Sequence, residues 1–175
     1  MNPPLRIAVY GPESTGKTQL AGKLAALFAA PLVAEYARER WDQQGALGLE
    51  DMLPIAREQW RREDAAAASA GRLVICDTDA LTTMLWSDLL YGTTPDELRR
   101  GAEKRCKGYA LYLLLDIDVP FAADPQRCFP DPADREKCLR VWRGALERRN
   151  LPFVDIRGDW AAREAAAVAA VEALL

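Results

Sequence analysis

The sequence predicts an α/β fold, a five-stranded parallel sheet with helices on both faces, and three observations carry that expectation. Short apolar runs of strand type at 5–10, 31–35, 72–77, 110–116 and 153–156 alternate with longer helix-like stretches, the pattern of strand–helix–strand units. The run Ala110-Leu111-Tyr112-Leu113-Leu114-Leu115-Asp116 is nearly continuous in apolar residues, as a parallel strand covered on both faces is. Between the first strand and the first helix lies Gly11-Pro12-Glu13-Ser14-Thr15-Gly16-Lys17-Thr18. It matches G-x-x-x-x-G-K-[ST], the phosphate-binding P-loop, in the strand–loop–helix context the motif needs. These observations predict a single P-loop NTPase domain over 1–175, with a short lid at about 118–149.

The elements follow in order. Leu5-Arg6-Ile7-Ala8-Val9-Tyr10 is the first strand, and residues 19–30, rich in Ala and Leu, form the first helix. A second strand ends in the polar run Glu35-Tyr36-Ala37-Arg38-Glu39, and 43–48 reads as a loop. Asp51 is placed to cap a helix reaching about Ala70, with Pro54 tolerated in its first turn. Leu53, Ala56, Trp60 and Ala67 are its expected inner stripe. The third strand, 72–77, precedes helices at 81–91 and 95–106. A Pro- and Asp-rich loop at 121–134 leads into a basic helix to Asn150, and a last helix covers 160–175.

Half of the 175 residues are hydrophobic, enough for a sizeable core. No apolar run reaches membrane-span length, and Met1-Asn2-Pro3-Pro4 leads straight into a strand without a signal peptide. A cytoplasmic protein is the expectation, with no membrane partner. A net charge of −3 offers no electrostatic case for nucleic acid. The four cysteines lack C-x-x-C spacing and histidine is absent, which argues against zinc. Any general base must then be Asp or Glu.

The P-loop implies a nucleoside triphosphate. Its glycines let backbone N–H groups converge on phosphate at a helix N-terminus. Gly11, Glu13, Ser14, Thr15, Gly16, Lys17, Thr18 and Gln19 are the candidate ATP site. Lys17 would reach the β- and γ-phosphates and the Thr18 hydroxyl would ligate Mg²⁺. Four apolar residues followed by Asp77 match the strand that brings a second Mg²⁺-holding group to a P-loop. Asp79 is open between capping the next helix and acting as base or substrate ligand. At the end of the second strand, Glu35 is placed to take a proton from an acceptor hydroxyl, with Tyr36 and Arg38 as substrate contacts. A solvated charge cluster is the plain alternative there, and Glu39, one turn on if the stretch is helical, competes with Glu35. In the lid, Arg127 and Arg135 are the candidates to meet the transferring phosphate, ahead of Arg140 and Arg143, while Arg148 and Arg149 read as a solvated helix end. Trp86 and Trp60 either stack on an aromatic substrate or belong to the core.

Together the P-loop, the Ala34-Glu35-Tyr36-Ala37-Arg38-Glu39 run, Asp77-Thr78-Asp79 with Thr82, Thr83 and Trp86, and Leu114-Leu115-Asp116-Ile117-Asp118-Val119-Pro120 with Asp124 and Arg127 resemble the ribosylnicotinamide kinase domain of NadR-type proteins. The resemblance runs from the first strand to the lid. It implies ATP- and Mg²⁺-dependent phosphorylation of the 5′-hydroxyl of nicotinamide riboside, giving nicotinamide mononucleotide. It also implies that Asp77, Asp79 and the Glu35–Arg38 stretch face substrate and metal, with Trp86 a stacking candidate for the pyridinium ring. Two positions depart from the family pattern: Phe121 stands where many members have Trp, and Pro125 where many have Gly. NadR-type proteins usually carry an adenylyltransferase domain before the kinase, and some a helix-turn-helix. This chain begins at the P-loop strand, so a free-standing kinase that neither makes NAD alone nor binds DNA through that module is the expectation. A kinase for another nucleoside or metabolite, or a regulatory ATP-binding switch, are the rival readings. The sequence shows neither an N-K-x-D base-reading motif nor an L-S-G-G-Q segment.

Overall fold

The computed structural model describes residues 3–175; Met1 and Asn2, part of the stretch read above as leaderless, lie outside the described residues. In chain order the elements are β1 (Leu5–Tyr10), α1 (Lys17–Leu27), β2 (Leu32–Val33), α2 (Tyr36–Gln44), α3 (Leu49–Ser69), β3 (Leu73–Asp77), α4 (Thr82–Tyr91), α5 (Asp96–Arg105), β4 (Leu111–Leu115), α6 (Pro132–Glu147), β5 (Phe153–Ile156) and α7 (Trp160–Glu172). Among the described residues the strands form one five-stranded sheet in the order β2-β3-β1-β4-β5, and every pairing is parallel.

Because successive strand residues point to opposite faces, the sheet carries two apolar layers. Ile7, Val9, Ile75, Leu113 and Leu115 pack on one side with Leu20 and Leu24 of α1 and Ala167 and Val171 of α7. Ala8, Tyr10, Val74, Cys76, Tyr112 and Leu114 face the other side, covered by residues of α3, α4, α5 and α6. β3 and β4 are buried along their whole length, which explains their unbroken apolar spelling. Each fully buried aliphatic side chain contributes about 1.5–3 kcal/mol. The register sets Val9 of β1 opposite Asp77 of β3, so the P-loop after β1 and the carboxylate ending β3 emerge side by side. Among the described residues, no helix is long and apolar enough to cross a membrane.

Three expectations are corrected by packing. The polar stretch after β2 continues as a helix, α2, whose residues are all at least partly exposed. The fully buried face of α3 is Met52, Ile55, Ala56, Gln59 and Glu63; of the expected stripe Ala56 lies on it, while Leu53, Trp60 and Ala67 pack partly buried at its edges. Gln59 and Glu63 are polar yet buried because each has a partner: Tyr36 N–H donates to Gln59 Oε1 at 2.8 Å and Tyr109 Oη donates to Glu63 Oε2 at 2.8 Å. Trp60 lies instead against Gly101, where a Cβ would sit 2.2 Å from the indole. Asp51 acts within the first turn of α3, accepting from Gly48 N–H at 2.9 Å.

The third correction concerns the lid. Helix α6 is part of the core, not of a mobile cover: Cys138, Trp142, Ala145 and Leu146 are buried. Tyr10 Oη donates to the Trp142 carbonyl at 2.8 Å, and the Trp142 ring meets Trp86 edge-on at 4.8 Å. It is the loop between β4 and α6, not α6 itself, that borders the end of the sheet beside the P-loop. Arg140 is exposed beside Glu136 and Arg143 pairs with Asp155 of β5, so neither reaches that end. Arg149 is also engaged, its guanidinium bonded to Glu103 and to the Ala145 carbonyl.

Candidate active site

The P-loop wraps the gap between β1 and α1. Gly11 has φ +147°, and a Cβ there would lie 2.8 Å from the Leu115 carbonyl oxygen, so the position admits only glycine. The Thr15 hydroxyl donates to the Pro12 carbonyl at 2.9 Å and the Lys17 ammonium to the same oxygen at 2.6 Å. No side chain caps the N-terminus of α1, which leaves its first N–H groups and the positive end of its dipole directed at the loop. The Thr18 hydroxyl donates to Asp77 Oδ2 at 2.7 Å. Asp77 Oδ1 is buried and has no partner among the described residues. Burial pushes the Asp77 carboxyl up, against the Thr18 hydrogen bond and the Lys17 charge, which hold it down.

At the end of β3 the backbone is strained. Thr78 has φ +81°, unusual for a β-branched residue and of the kind held only where surrounding structure enforces it. Its N–H donates to the Val9 carbonyl at 3.0 Å, tying the turn after Asp77 to the strand that launches the P-loop.

Above this corner lies a cavity of about 820 Å³, within the range of small-molecule sites. Glu13 to Gln19, Asp77, Glu35 and Arg38 line it, together with Trp41, Leu47, Met52, Ile55, Trp86 and Tyr91 at the α2–α4 end. Glu35 is the residue before α2 and Lys17 opens α1, so helix starts aim both side chains at the same space. Both keep some surface toward the cavity, yet lie deep in protein. Burial raises the Glu35 carboxyl, opposed by Lys17; burial likewise lowers Lys17, opposed by Glu35 and Asp77. Glu39, the competitor for Glu35, faces away and pairs with Arg62 at 2.6 Å.

The overhanging loop is held by three side chains, Glu13, Ser14 and Arg38. Glu13 Oε1 accepts from the N–H groups of Cys128 at 2.9 Å and Phe129 at 2.6 Å. The Ser14 hydroxyl oxygen accepts from Ala122 N–H at 2.8 Å. Arg38 makes a two-pronged pair with Asp124, at 2.8 and 2.6 Å, and a third bond to Gln126 at 2.9 Å. This guanidinium holds the Asp124 carboxyl well below the usual carboxylate range. Phe129 lies nearly parallel to Trp86, centroids 6.1 Å apart.

Tyr36, Asp79 and Arg135, all expected at the site, lie outside the cavity lining; the Tyr36 ring lies instead under the Arg62 guanidinium, 4.5 Å away. Asp79 is buried and lies outside the cavity lining. Its oxygens accept from Leu81 N–H at 2.9 Å, Thr82 N–H at 2.9 Å and the Thr82 hydroxyl at 2.6 Å. Both of its oxygens are engaged at the start of α4, the arrangement of a helix cap, which is one of the two readings the sequence leaves open for it. Arg135, expected at the transferring phosphate, donates to the Val119 carbonyl at 3.0 Å and the Ser14 carbonyl at 3.4 Å. It clamps the loop root to the P-loop and does not line the cavity. Arg127 does line it, donating to the Ala122 carbonyl. Asp79→Ala is expected to cost about 2–3 kcal/mol of stability, read as a lower denaturation midpoint with nucleotide binding retained. Unchanged stability together with lost turnover would return Asp79 to the chemistry.

A family model described as an AAA domain matches residues 6–163. The chain belongs to this AAA-domain family. Over 158 residues it is 27% identical to the trifunctional NAD biosynthesis/regulator protein NadR of Escherichia coli (strain K12), covering 87% of this chain and 38% of that protein. The chain thus spans well under half the length of that relative. Among solved structures, NadR protein in complex with NR matches with a TM-score of 0.80 at 24% identity, over 97% of this chain and 51% of the other. NadR protein in complex with NAD and AMP-PNP gives 0.77 at 22%, over 97% and 49%. Thymidylate kinase from Ehrlichia chaffeensis gives 0.69 at 14%, over 99% and 100%. The fold of this AAA domain is therefore one it shares with kinases built on the same parallel sheet.

Several residues at the site of the AAA domain were not singled out from the sequence. Trp41 and Tyr91 line the cavity, and Gln59 does so with its Nε2 buried and unpaired among the described residues. Tyr36 N–H holds Gln59 Oε1, which fixes the amide so that Nε2 is the free end. The sequence signal for this wall was Trp41, a large aromatic among the charged and amide residues of the second half of α2.

Proposed function

We propose that this AAA domain is an ATP-dependent small-molecule kinase that phosphorylates the 5′-hydroxyl of nicotinamide riboside, giving nicotinamide mononucleotide in NAD salvage. The observation that carries the reading is the convergence of Lys17, the Thr18–Asp77 pair and Glu35 on one cavity with an aromatic far end. A phosphate cradle, a carboxylate across from it and an aromatic wall are what transfer from a triphosphate to a flat-ringed nucleoside requires. The similarity to NadR supports nicotinamide riboside over other nucleosides.

In this mechanism the P-loop amides and Lys17 hold the β- and γ-phosphates, where negative charge accumulates during transfer. Glu35 accepts the proton of the attacking hydroxyl, and its raised basicity suits that role. Trp86 and Trp41 bound the ring of the acceptor, and Gln59 Nε2 offers it a hydrogen bond. The loop held by Glu13, Ser14 and Arg38 keeps water from the phosphate, with Arg127 beneath it. Mg²⁺ fits the remaining groups: the unpaired Asp77 Oδ1 and the Thr18 oxygen form a hard-oxygen corner. When bound, the ion would neutralise phosphate charge. We place the protein in the cytoplasm, acting on a small nucleoside, with neither nucleic acid nor membrane as partner.

The test is ADP release from ATP–Mg²⁺ by the purified protein, with and without nicotinamide riboside, with the product identified by mass. Release that depends on nicotinamide riboside and yields its monophosphate is expected. Release independent of acceptor would point to a switch, and release with a different nucleoside alone would move the acceptor assignment.

A further inference from the structure

The cavity has a second end that the acceptor reading leaves unused. The Thr18–Asp77 pair and Glu35 mark where the terminal phosphate lies. A triphosphate threaded through the P-loop must therefore carry its nucleoside toward the opposite side, past Gly16 and Gln19. That side of the cavity is bounded by Pro120, Ala122 and Arg127 of the overhanging loop and by Trp160, the first residue of α7.

Trp160 is placed unlike a core or a surface tryptophan. It is 51% exposed, an unusual setting for so large an apolar group, and it lines the cavity. Its ring lies directly against the P-loop: a Cβ on Gly16, whose φ is +84°, would be 2.5 Å from the indole. Its mount is rigid. Arg163, one turn along α7, is fully buried, with its guanidinium 5.7 Å from the centre of the Trp160 ring. It donates to the Gly158 carbonyl at 2.8 Å, the Thr15 carbonyl at 3.0 Å and the Asp116 carbonyl at 2.9 Å. The same arginine thus fastens the start of α7 to the P-loop itself, so the indole keeps its height relative to the phosphate cradle.

We infer that Trp160 is the stacking platform for the base of the donor nucleotide. The assignment rests on the phosphate-loop reading above and deepens it: the ligand is a nucleoside triphosphate whose base lies on the indole while its phosphates enter the loop. An aromatic face recognises the ring and leaves the phosphates to Lys17 and the amides. The two contributions are therefore separable.

Calorimetric titrations of the full chain with ATP–Mg²⁺ and with tripolyphosphate–Mg²⁺, without acceptor, separate them. Trp160→Ala is expected to weaken ATP binding about ten- to a hundredfold, the scale of one base–aromatic stack, and to leave tripolyphosphate within about twofold. Trp160→Phe keeps a ring and is expected to retain ATP affinity within a few-fold. Equal ATP affinity for Trp160→Ala and wild type overturns the platform. So does an equal loss for both ligands, which would make the indole a structural support of the P-loop. Wild-type protein that binds neither ligand would overturn the phosphate-loop reading and the platform with it.

Discussion

Lys17→Ala is expected to lower phosphoryl transfer by about a thousandfold or more, the scale of losing one preorganised charge contact in a water-excluded site. The charge counts for so much because Lys17 sits deep in protein, where burial already pulls its pKa down and only Glu35, Asp77 and Glu13 sustain it. The fold should survive. Its ammonium makes one hydrogen bond, to the Pro12 carbonyl, worth about 1 kcal/mol. Circular dichroism melting and ADP release on the same preparation check both halves. A folded Lys17→Ala protein with near-wild-type turnover would remove the P-loop from the mechanism.

Glu35→Gln is the second large effect. Removal of a general base costs about 10²- to 10⁴-fold in rate, and here pH adds a signature. Burial, its largest influence, raises the Glu35 carboxyl, with Lys17 opposing. A base must be deprotonated to act, so wild-type turnover should fall as pH drops through this raised value, above the ordinary carboxylate range. The amide has nothing to titrate, so the acidic limb should vanish in the variant while the KM for ATP stays near wild type. A Glu35→Gln enzyme that keeps both its rate and its acidic limb would move the base elsewhere.

The central strands were plain in the sequence because burial on both faces forces an unbroken apolar spelling, as in β3 and β4. The P-loop was plain because its glycines answer to backbone geometry that no other residue meets, as Gly11 shows. The errors share a cause: a polar letter has several uses and the sequence does not say which. Asp79 was open between helix cap and site residue, and both its oxygens are engaged at the start of α4. α6 was read for its arginines, although Cys138, Trp142, Ala145 and Leu146 already spaced out a buried helical face. The attachment of Glu13 to the N–H groups of Cys128 and Phe129 had no sequence signal, because a backbone donor has no letter. The same holds for Arg135 and the carbonyls it clamps.

Glu13 and Ser14 occupy positions that the phosphate-loop consensus leaves free, yet here both are committed to the overhanging loop. The phosphate loop of this protein is therefore not an interchangeable cassette. A loop transplanted from another nucleotide-binding protein would bring the lysine and the glycines and still arrive without its two fasteners. Such a chimera would grip triphosphate normally while losing the roof over the neighbouring substrate. Conversely, drift at these two degenerate positions offers evolution a way to retune acceptor access without touching any group that meets phosphate.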